Sequence, residues 1–173
     1  ERKGVQYLIP AFAEVAPQVP DARLVIAGPD EGMLDAAQAL VVEHGLEERV
    51  IFTGLLTGDE RIAALAAADV FALPAVGEGF SMAVLEAMAC ELPVLLTPGC
   101  NFPEVAEEGA GLVVAREVPA LAEGLRALLT GAEARASMGR RACALVRERY
   151  TWDQVAARME AVYRIVVKRK PGA

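Results

Sequence analysis

The sequence has little cysteine or histidine and no excess of positive charge. Cysteine occurs three times, at Cys90, Cys100 and Cys143, which lie far apart and lack CxxC spacing. Reduced thiols are therefore expected, and a disulfide framework or a zinc site is not. The single histidine, His44, precedes Gly45 and is interpreted as the end of a helix rather than a metal ligand. Because 17 Lys and Arg face 24 Asp and Glu, the net charge is −7 and no nucleic-acid partner is expected.

Long hydrophobic runs and targeting signals are also missing. No apolar stretch approaches the ~20 residues that a membrane-spanning helix needs, and the opening ERKGVQYLIPAF lacks the pattern of a signal peptide. A cytoplasmic protein is expected. The start at Glu1 instead of Met suggests a fragment of a longer chain. The basic run Lys168-Arg169-Lys170 predicts a solvated tail over 168–173, which leaves one domain over 1–167.

What the sequence does contain is a regular alternation of two hydrophobic patterns. Apolar residues make up 54% of the 173 residues, enough for one domain with a sizeable core. The alternation predicts an α/β fold with a doubly wound parallel sheet, similar to a Rossmann fold. Capping boxes at Thr57/Glu60 and Thr151/Gln154 mark two helix starts. Strands are predicted at 23–27, 50–53, 69–73, 93–96 and 111–114, and helices at 5–15, 33–44, 57–68, 80–90, 103–108, 119–129, 132–149 and 151–168.

The loop after the third predicted strand, within PAVGEGFSMAVLEAMACELPV, is the most informative stretch. In a doubly wound sheet, ligands bind at the carboxyl ends of the strands. Gly77 and Gly79 let a ligand approach the backbone closely, and the helix that follows offers N–H groups and a positive dipole end to an anion.

Two carboxylates, Glu78 and Glu86, flank this helix start. A carboxylate in a helix as apolar as the one around Glu86 is costly unless it has a partner. One ligand could place a sugar-like group at Glu78, a diphosphate at the helix N-terminus and a ribose at Glu86. The alternative is that Glu78 only stabilises the helix dipole and Glu86 reaches solvent.

The segment EGFSMAVLEAMA, followed by ELPVLLT, closely resembles the Glu-x7-Glu donor-binding motif of family-4 (group 1) glycosyltransferases, which have the two-domain GT-B architecture. The resemblance covers nearly the whole chain, as the C-terminal half of such an enzyme. It continues through the segments KGVQYLIPAFAEV, ARLVIAGPDEG, RVIFTGLLTGDERIAALAAADVFALP, FPEVAEEGAGLVV and YTWDQVAARMEAVY.

The resemblance implies that the enzyme moves a sugar from a nucleotide-diphosphate sugar to an acceptor hydroxyl with retention of configuration, using no metal or other cofactor. The acceptor would be bound by an N-terminal domain that this chain lacks. The chain alone is therefore expected to bind the nucleotide and to have negligible activity. Association of the full-length enzyme with the inner face of the membrane is a further expectation.

The resemblance also implies roles for individual residues. Glu78 would hydrogen-bond the donor sugar, Glu86 would hold the ribose, and Lys3 would neutralise the diphosphate, with Arg2 either assisting or exposed to solvent. Glu78 and Lys3 are the expected catalytic residues. The residues expected to meet the diphosphate or nearby hydroxyls at the helix start are Gly79, Phe80, Ser81, Met82 and Ala83.

The nucleotide base is expected near the loop before the third predicted helix. Leu56 would contact the base through backbone atoms, and Arg61 would lie near it. The alternatives are an ordinary apolar loop contact for Leu56 and a solvated helix face for Arg61.

The sequence departs from the family pattern in two places. The family's first strand and its phosphate-binding arginine are expected upstream of Glu1, so the sheet is expected to lack a central strand. The loop TPGCNFPE carries Cys100, Asn101 and Phe102 in place of the commoner Gly-Gly-x-Pro-Glu form, and Asn101 is expected to form a turn rather than to touch ligand.

Two other classes of function remain open from the sequence. A dinucleotide-binding oxidoreductase domain would need a third glycine, and Met82 stands in its place; the next strand ends in Thr97-Pro98 and not in an acidic residue. The second alternative is a non-catalytic interaction domain that keeps the same fold.

Overall fold

A computed structural model describes residues 2–168 of the chain. Within this range the predicted alternation is confirmed, because each of the five strands and eight α-helices overlaps a predicted element. The strands are β1 Leu24–Ala27, β2 Val50–Gly54, β3 Phe71–Leu73, β4 Val94–Leu96 and β5 Gly111–Val113. The helices are α1 Val5–Val15, α2 Leu34–Glu43, α3 Gly58–Ala67, α4 Met82–Ala89, α5 Glu104–Glu107, α6 Val118–Thr130, α7 Ala132–Arg149 and α8 Trp152–Lys168.

All strand pairs are parallel, and they form two sheets. One sheet pairs β1 with β2, and the other has the order β3-β4-β5. Among residues 2–168, β1 and β3 therefore each have a strand partner on one side only. Since the strands of each sheet are parallel, the loops that follow β3 and β4 leave the sheet at the same edge.

Helices cover both faces of the three-stranded sheet. On one face α1 and α6 pack together and bury Ile9, Phe12 and Leu121 in a cluster that also contains Leu95 of β4. This cluster includes side chains from β1 and β2, so it joins the two sheets through a shared core. On the other face, α4 and α7 cover the neighbouring β4 side chains; the buried residues there include Val84, Met88, Val94, Leu96 and Leu145. All three residues of β4 are buried, as expected for a central parallel strand.

Several local predictions can be compared with the observed helix ends. His44 is the C-cap of α2 and its N–H donates to the Leu40 carbonyl at 3.1 Å, which confirms its position at a helix end. The predicted capping box at Thr57 is wrong in part: Thr57 is the N-cap of α3, but its side chain makes no capping hydrogen bond. The next residue, Gly58, has a φ of 49°, which distorts the first turn of α3.

The helix at the donor motif starts later than predicted. The prediction began at Phe80, whereas α4 begins at Met82 with Ser81 as an extended N-cap. The second capping box is weak, with 3.4 Å between the Gln154 nitrogen and Thr151 Oγ1. The three cysteines are free thiols, as predicted.

Within residues 2–168, no helix has both the length and the apolar character to span a membrane. The same residues contain no group of three or more His, Cys, Asp or Glu side chains that could hold a metal ion. Of the predicted basic tail, Lys168 is the last residue of α8, and Arg169 and Lys170 lie outside the described residues.

Candidate functional site

The loop after β3 is held between the start of the chain and the loop after β4. The backbone N–H of Val76 donates to the Arg2 carbonyl, and that of Glu78 donates to the Gly99 carbonyl, each at 3.0 Å. From the end of β4, the Thr97 hydroxyl donates to the Ala75 carbonyl at 2.6 Å. These contacts fix the position of the Glu78 backbone on two sides.

The Glu78 carboxylate is buried and charged. Its side chain is 7% exposed, and Oε1 accepts hydrogen bonds from Lys3 Nζ at 2.7 Å and Arg2 Nη2 at 3.4 Å. The hydrogen bond from Lys3 lowers the pKa of the Glu78 carboxyl below its ordinary value of 4.5, with burial acting in the opposite direction. Two predicted site residues, Lys3 and Glu78, are thus in direct contact. The Arg2 side chain is largely exposed to solvent, as one of the two expectations had it, and it also contacts Glu78.

Asn101 supports Glu78 from the loop after β4. It has a φ of 50° at the end of the short 3-10 turn Pro98–Cys100, which confirms the predicted turn. Its side-chain Nδ2 also donates to the Glu78 carbonyl at 2.5 Å, a contact that the sequence did not reveal. The departure of this loop from the family pattern was the signal that could have pointed to it.

The N-terminus of α4 follows Glu78 after three residues, Gly79, Phe80 and Ser81. The first N–H groups of a helix have no partner within the helix, and the Ser81 side chain caps none of them. At Gly79, an added Cβ would meet no atom within 4 Å, so the space beside this backbone is open. Around it, the side chains of Phe80 and Met82 are exposed to 47% and 55%, and Ala83 is also exposed. An anion can reach this helix end.

Glu86 lies in the second turn of α4 and has a partner from another helix. Its carboxylate Oε1 lies 3.0 Å from Arg61 Nη2 of α3, and the two side chains are 26% and 48% exposed. The expectation that a carboxylate in this apolar helix needs a partner is met by Arg61. Leu56 is half-buried in the loop before α3. No hydrogen bond or ion pair in the described part of the chain links the Glu86–Arg61 pair to the Glu78–Lys3 pair.

An aromatic cluster beside the motif was not predicted. The rings of Phe80, Phe102 and Tyr150 have centroids 5.3–5.4 Å apart and join the start of α4 to the end of α7. Burial and the nearby Glu104 carboxylate raise the pKa of the Tyr150 hydroxyl. The contacts with Phe102 and Tyr150 hold Phe80, the residue that follows Gly79, in place.

A cleft of about 510 Å³ opens next to the Lys3–Glu78 pair. It is lined by Arg2, Gln6, Tyr7, Val76 and Arg116. The Arg116 guanidinium lies 4.6 Å from the centre of the Tyr7 ring, and its Nε donates to the Pro74 carbonyl at 2.9 Å. The positive charge of the site therefore extends beyond Lys3.

Comparison with known proteins gives consistent matches. The sequence profile of the family described as "Glycosyl transferases group 1" matches residues 1–144. The GDP-mannose-dependent monoacylated alpha-(1-6)-phosphatidylinositol monomannoside mannosyltransferase of Corynebacterium glutamicum is 34% identical over 166 residues, which cover 91% of this chain and 43% of that protein. The N-acetyl-alpha-D-glucosaminyl L-malate synthase of Bacillus anthracis is 31% identical over 168 residues, covering 96% of this chain and 43% of that protein.

The fold is also similar to that of solved structures. The sucrose-phosphate synthase of Thermosynechococcus elongatus matches with a TM-score of 0.82 at 27% identity, covering 98% of this chain and 43% of that one. The chain thus spans less than half the length of the curated relatives that it matches.

Proposed function

The chain belongs to the group 1 glycosyltransferases, and on that premise we propose that it binds a nucleotide-diphosphate sugar for a retaining transferase that moves the sugar to an acceptor hydroxyl. The observation that carries the proposal is the ion pair between Lys3 and the buried Glu78, which lies four residues before the first residue of α4, Met82. A cation and a helix dipole at one place suit a diphosphate, and an adjacent carboxylate suits sugar hydroxyls.

In this proposal the diphosphate lies at the start of α4. The backbone N–H groups near Phe80 and Ser81 and the Lys3 ammonium stabilise the negative charge that grows on the diphosphate as the sugar leaves. These groups serve without a metal ion, so the reaction is proposed to need none. Glu78 positions the sugar through its hydroxyls and is not assigned as a nucleophile.

The nucleoside lies toward α3. Glu86 accepts hydrogen bonds from the ribose hydroxyls, since a carboxylate can accept from two vicinal hydroxyls at once. Arg61, whose Nη2 lies 3.0 Å from the Glu86 carboxylate, then lies near the base, as does the backbone of Leu56.

The acceptor site is proposed to lie on the rest of the full-length protein, because this chain covers only 43% of its mannosyltransferase relative. The unpaired sides of β1 and β3 support a related proposal, that a strand from the rest of the protein joins the two sheets. The name of the same relative makes GDP-mannose the first donor to test. Family membership argues against the oxidoreductase alternative, and the non-catalytic alternative is addressed by the following experiment.

Isothermal titration calorimetry of the 173-residue chain with GDP, UDP and ADP tests the proposal. We expect weak but saturable binding of one of them, reduced by Glu86→Gln. A matched control is Glu160→Gln, which removes one acid from an exposed ion pair with Arg164 on α8 and should leave binding unchanged. If circular dichroism shows a folded chain that binds none of the three nucleotides, the proposed function is wrong.

A further inference from the structure

The Lys3–Glu78 pair joins two groups that the proposed function assigns to different parts of the ligand. Lys3 is assigned to the diphosphate and Glu78 to the sugar, yet their charged atoms lie 2.7 Å apart. The Lys3 ammonium carries one positive charge for both groups, so a phosphate that draws it toward the start of α4 weakens its contact with Glu78.

The two partners differ in their freedom to move. The Lys3 side chain is 51% exposed, so its ammonium can turn toward a ligand through solvent. The Glu78 side chain is only 7% exposed, and its backbone is held by Gly99 and Asn101. If the pair separates, Lys3 is the member that moves, and Glu78 stays in its buried position.

Separation would leave a buried carboxylate with a poor set of partners. Arg2 Nη2 would remain, at 3.4 Å, which is long for a charged hydrogen bond. Loss of the main hydrogen-bond donor of a buried carboxylate is costly, so the state in which Lys3 has left Glu78 is destabilised. The hydroxyls of a sugar are donors that can replace Lys3 at this position.

We propose that the diphosphate and Glu78 compete for Lys3, so that this pair makes the chain prefer a nucleotide sugar over the nucleoside diphosphate that remains after transfer. The inference rests on the proposed function and adds a determinant of specificity to it. A nucleoside diphosphate forms an ion pair with Lys3, and Glu78 then lacks its main hydrogen-bond donor. A nucleotide sugar also forms an ion pair with Lys3, but its sugar hydroxyls donate hydrogen bonds to the Glu78 carboxylate in place of Lys3.

The second acid of the motif provides a comparison within the same chain. Glu86 and Arg61 also form an ion pair, but both side chains are in contact with solvent. Water can solvate Glu86 when Arg61 turns away, so separation of this pair carries little cost. The competition is therefore specific to the buried acid, Glu78.

A double-mutant cycle measured by calorimetry tests the competition. The four proteins are the wild-type chain, Glu78→Gln, Lys3→Gln and the double variant, with Glu160→Gln as the matched control for loss of one negative charge. The ligands are GDP and GDP-mannose, or UDP and UDP-glucose if the wild-type chain prefers uridine. Circular dichroism and thermal unfolding verify that each variant is folded.

In the chain that keeps Lys3, the Glu78→Gln variant should bind the nucleoside diphosphate ~tenfold more tightly than the wild type, a difference of ~1.4 kcal/mol in the free energy of binding. It should also lose the preference for the nucleotide sugar. In the Lys3→Gln background, the same Glu78 substitution should give no gain, because there is no longer a cation to release.

The results separate this inference from the proposed function. If Glu78→Gln raises the affinity for the nucleoside diphosphate equally with and without Lys3, the cause is simple charge repulsion and the competition is overturned. The competition is also overturned if Glu78→Gln binds the nucleoside diphosphate no more tightly than Glu160→Gln does. In either case the wild-type chain still binds the nucleotide, and the proposed function stands. A folded wild-type chain that binds neither ligand would overturn both.

Discussion

The Lys3 ammonium lies 2.7 Å from the carboxylate of Glu78, a residue 75 positions later in the chain. This ion pair joins the residues just before α1 to the loop after β3, and it places a charged acid that is 7% exposed at the start of α4. The predictions for the stability of the site, its pH dependence and its proposed interaction with ligand all start from this contact.

The first prediction concerns pH. The hydrogen bond from Lys3 lowers the pKa of the folded Glu78 carboxyl below 4.5, so ionised Glu78 stabilises the folded state above that pH. This contribution is lost as the pH falls from 4.5 through the lower folded pKa. Between pH 7 and about pH 3, the free energy of unfolding should therefore fall by ~1 kcal/mol more in the wild type than in Glu78→Gln, a modest value because Lys3 is half-exposed.

Urea unfolding at the two pH values measures this difference. Glu160→Gln serves as the control, because that acid lies in an exposed pair on α8. Identical pH dependence in the wild type and Glu78→Gln would show that Lys3 does not stabilise the ionised carboxyl.

The second prediction concerns the residue after Lys3. Gly4 has a φ of 79°, and an added Cβ would lie 2.1 Å from the Pro74 carbonyl oxygen. Gly4→Ala should therefore lower the free energy of unfolding by at least ~3 kcal/mol through strain and a backbone clash. Gly45→Ala is matched in backbone, with a φ of 63° but no atom within 4 Å, and should cost only ~1 kcal/mol. Equal losses in chemical denaturation would contradict the close approach of Gly4 to Pro74.

The third prediction concerns Asn101. Asn101→Asp replaces the amide donor that faces the Glu78 carbonyl at 2.5 Å with a carboxylate oxygen, and should destabilise the fold by ~2 kcal/mol at pH 7. Asn101→Gly keeps the backbone conformation and creates no repulsion, so its loss should be smaller. Protonation of the new carboxyl at low pH should narrow the gap between the two variants in urea unfolding. If Asn101→Asp is as stable as the wild type, the Asn101 amide does not stabilise the Glu78 backbone.

The fourth prediction concerns the ribose end of the site. Glu86→Gln should weaken nucleotide binding ~tenfold, because a neutral amide is a poorer acceptor for two hydroxyls than a carboxylate. Arg61→Gln should have a smaller effect on affinity, and both should change stability by less than ~1 kcal/mol because the pair is partly exposed. Calorimetry and thermal unfolding measure both effects. An affinity for Glu86→Gln equal to that of Glu160→Gln would mean that Glu86 does not hold the ribose.

The fold could be predicted from the sequence to a large extent. The order of strands and helices follows from hydrophobic periodicity, a local property that buried strands such as β4 and amphipathic helices such as α1 express clearly. The ends of elements were less predictable. Thr57 occupies the N-cap of α3 without capping it, because the backbone of Gly58 adopts a conformation that the capping-box pattern does not encode.

The sequence by itself determined the type of fold, the family, and the two acids that are proposed to bind the donor, because these depend on short-range patterns and residue types. Only the tertiary structure decided which cation meets which acid: Lys3 with Glu78, Arg61 with Glu86. It also decided that Asn101 supports the Glu78 backbone. These contacts join segments far apart in the chain, and their partners are set by how the helices and the loops after the parallel strands pack against one another, which no local pattern specifies.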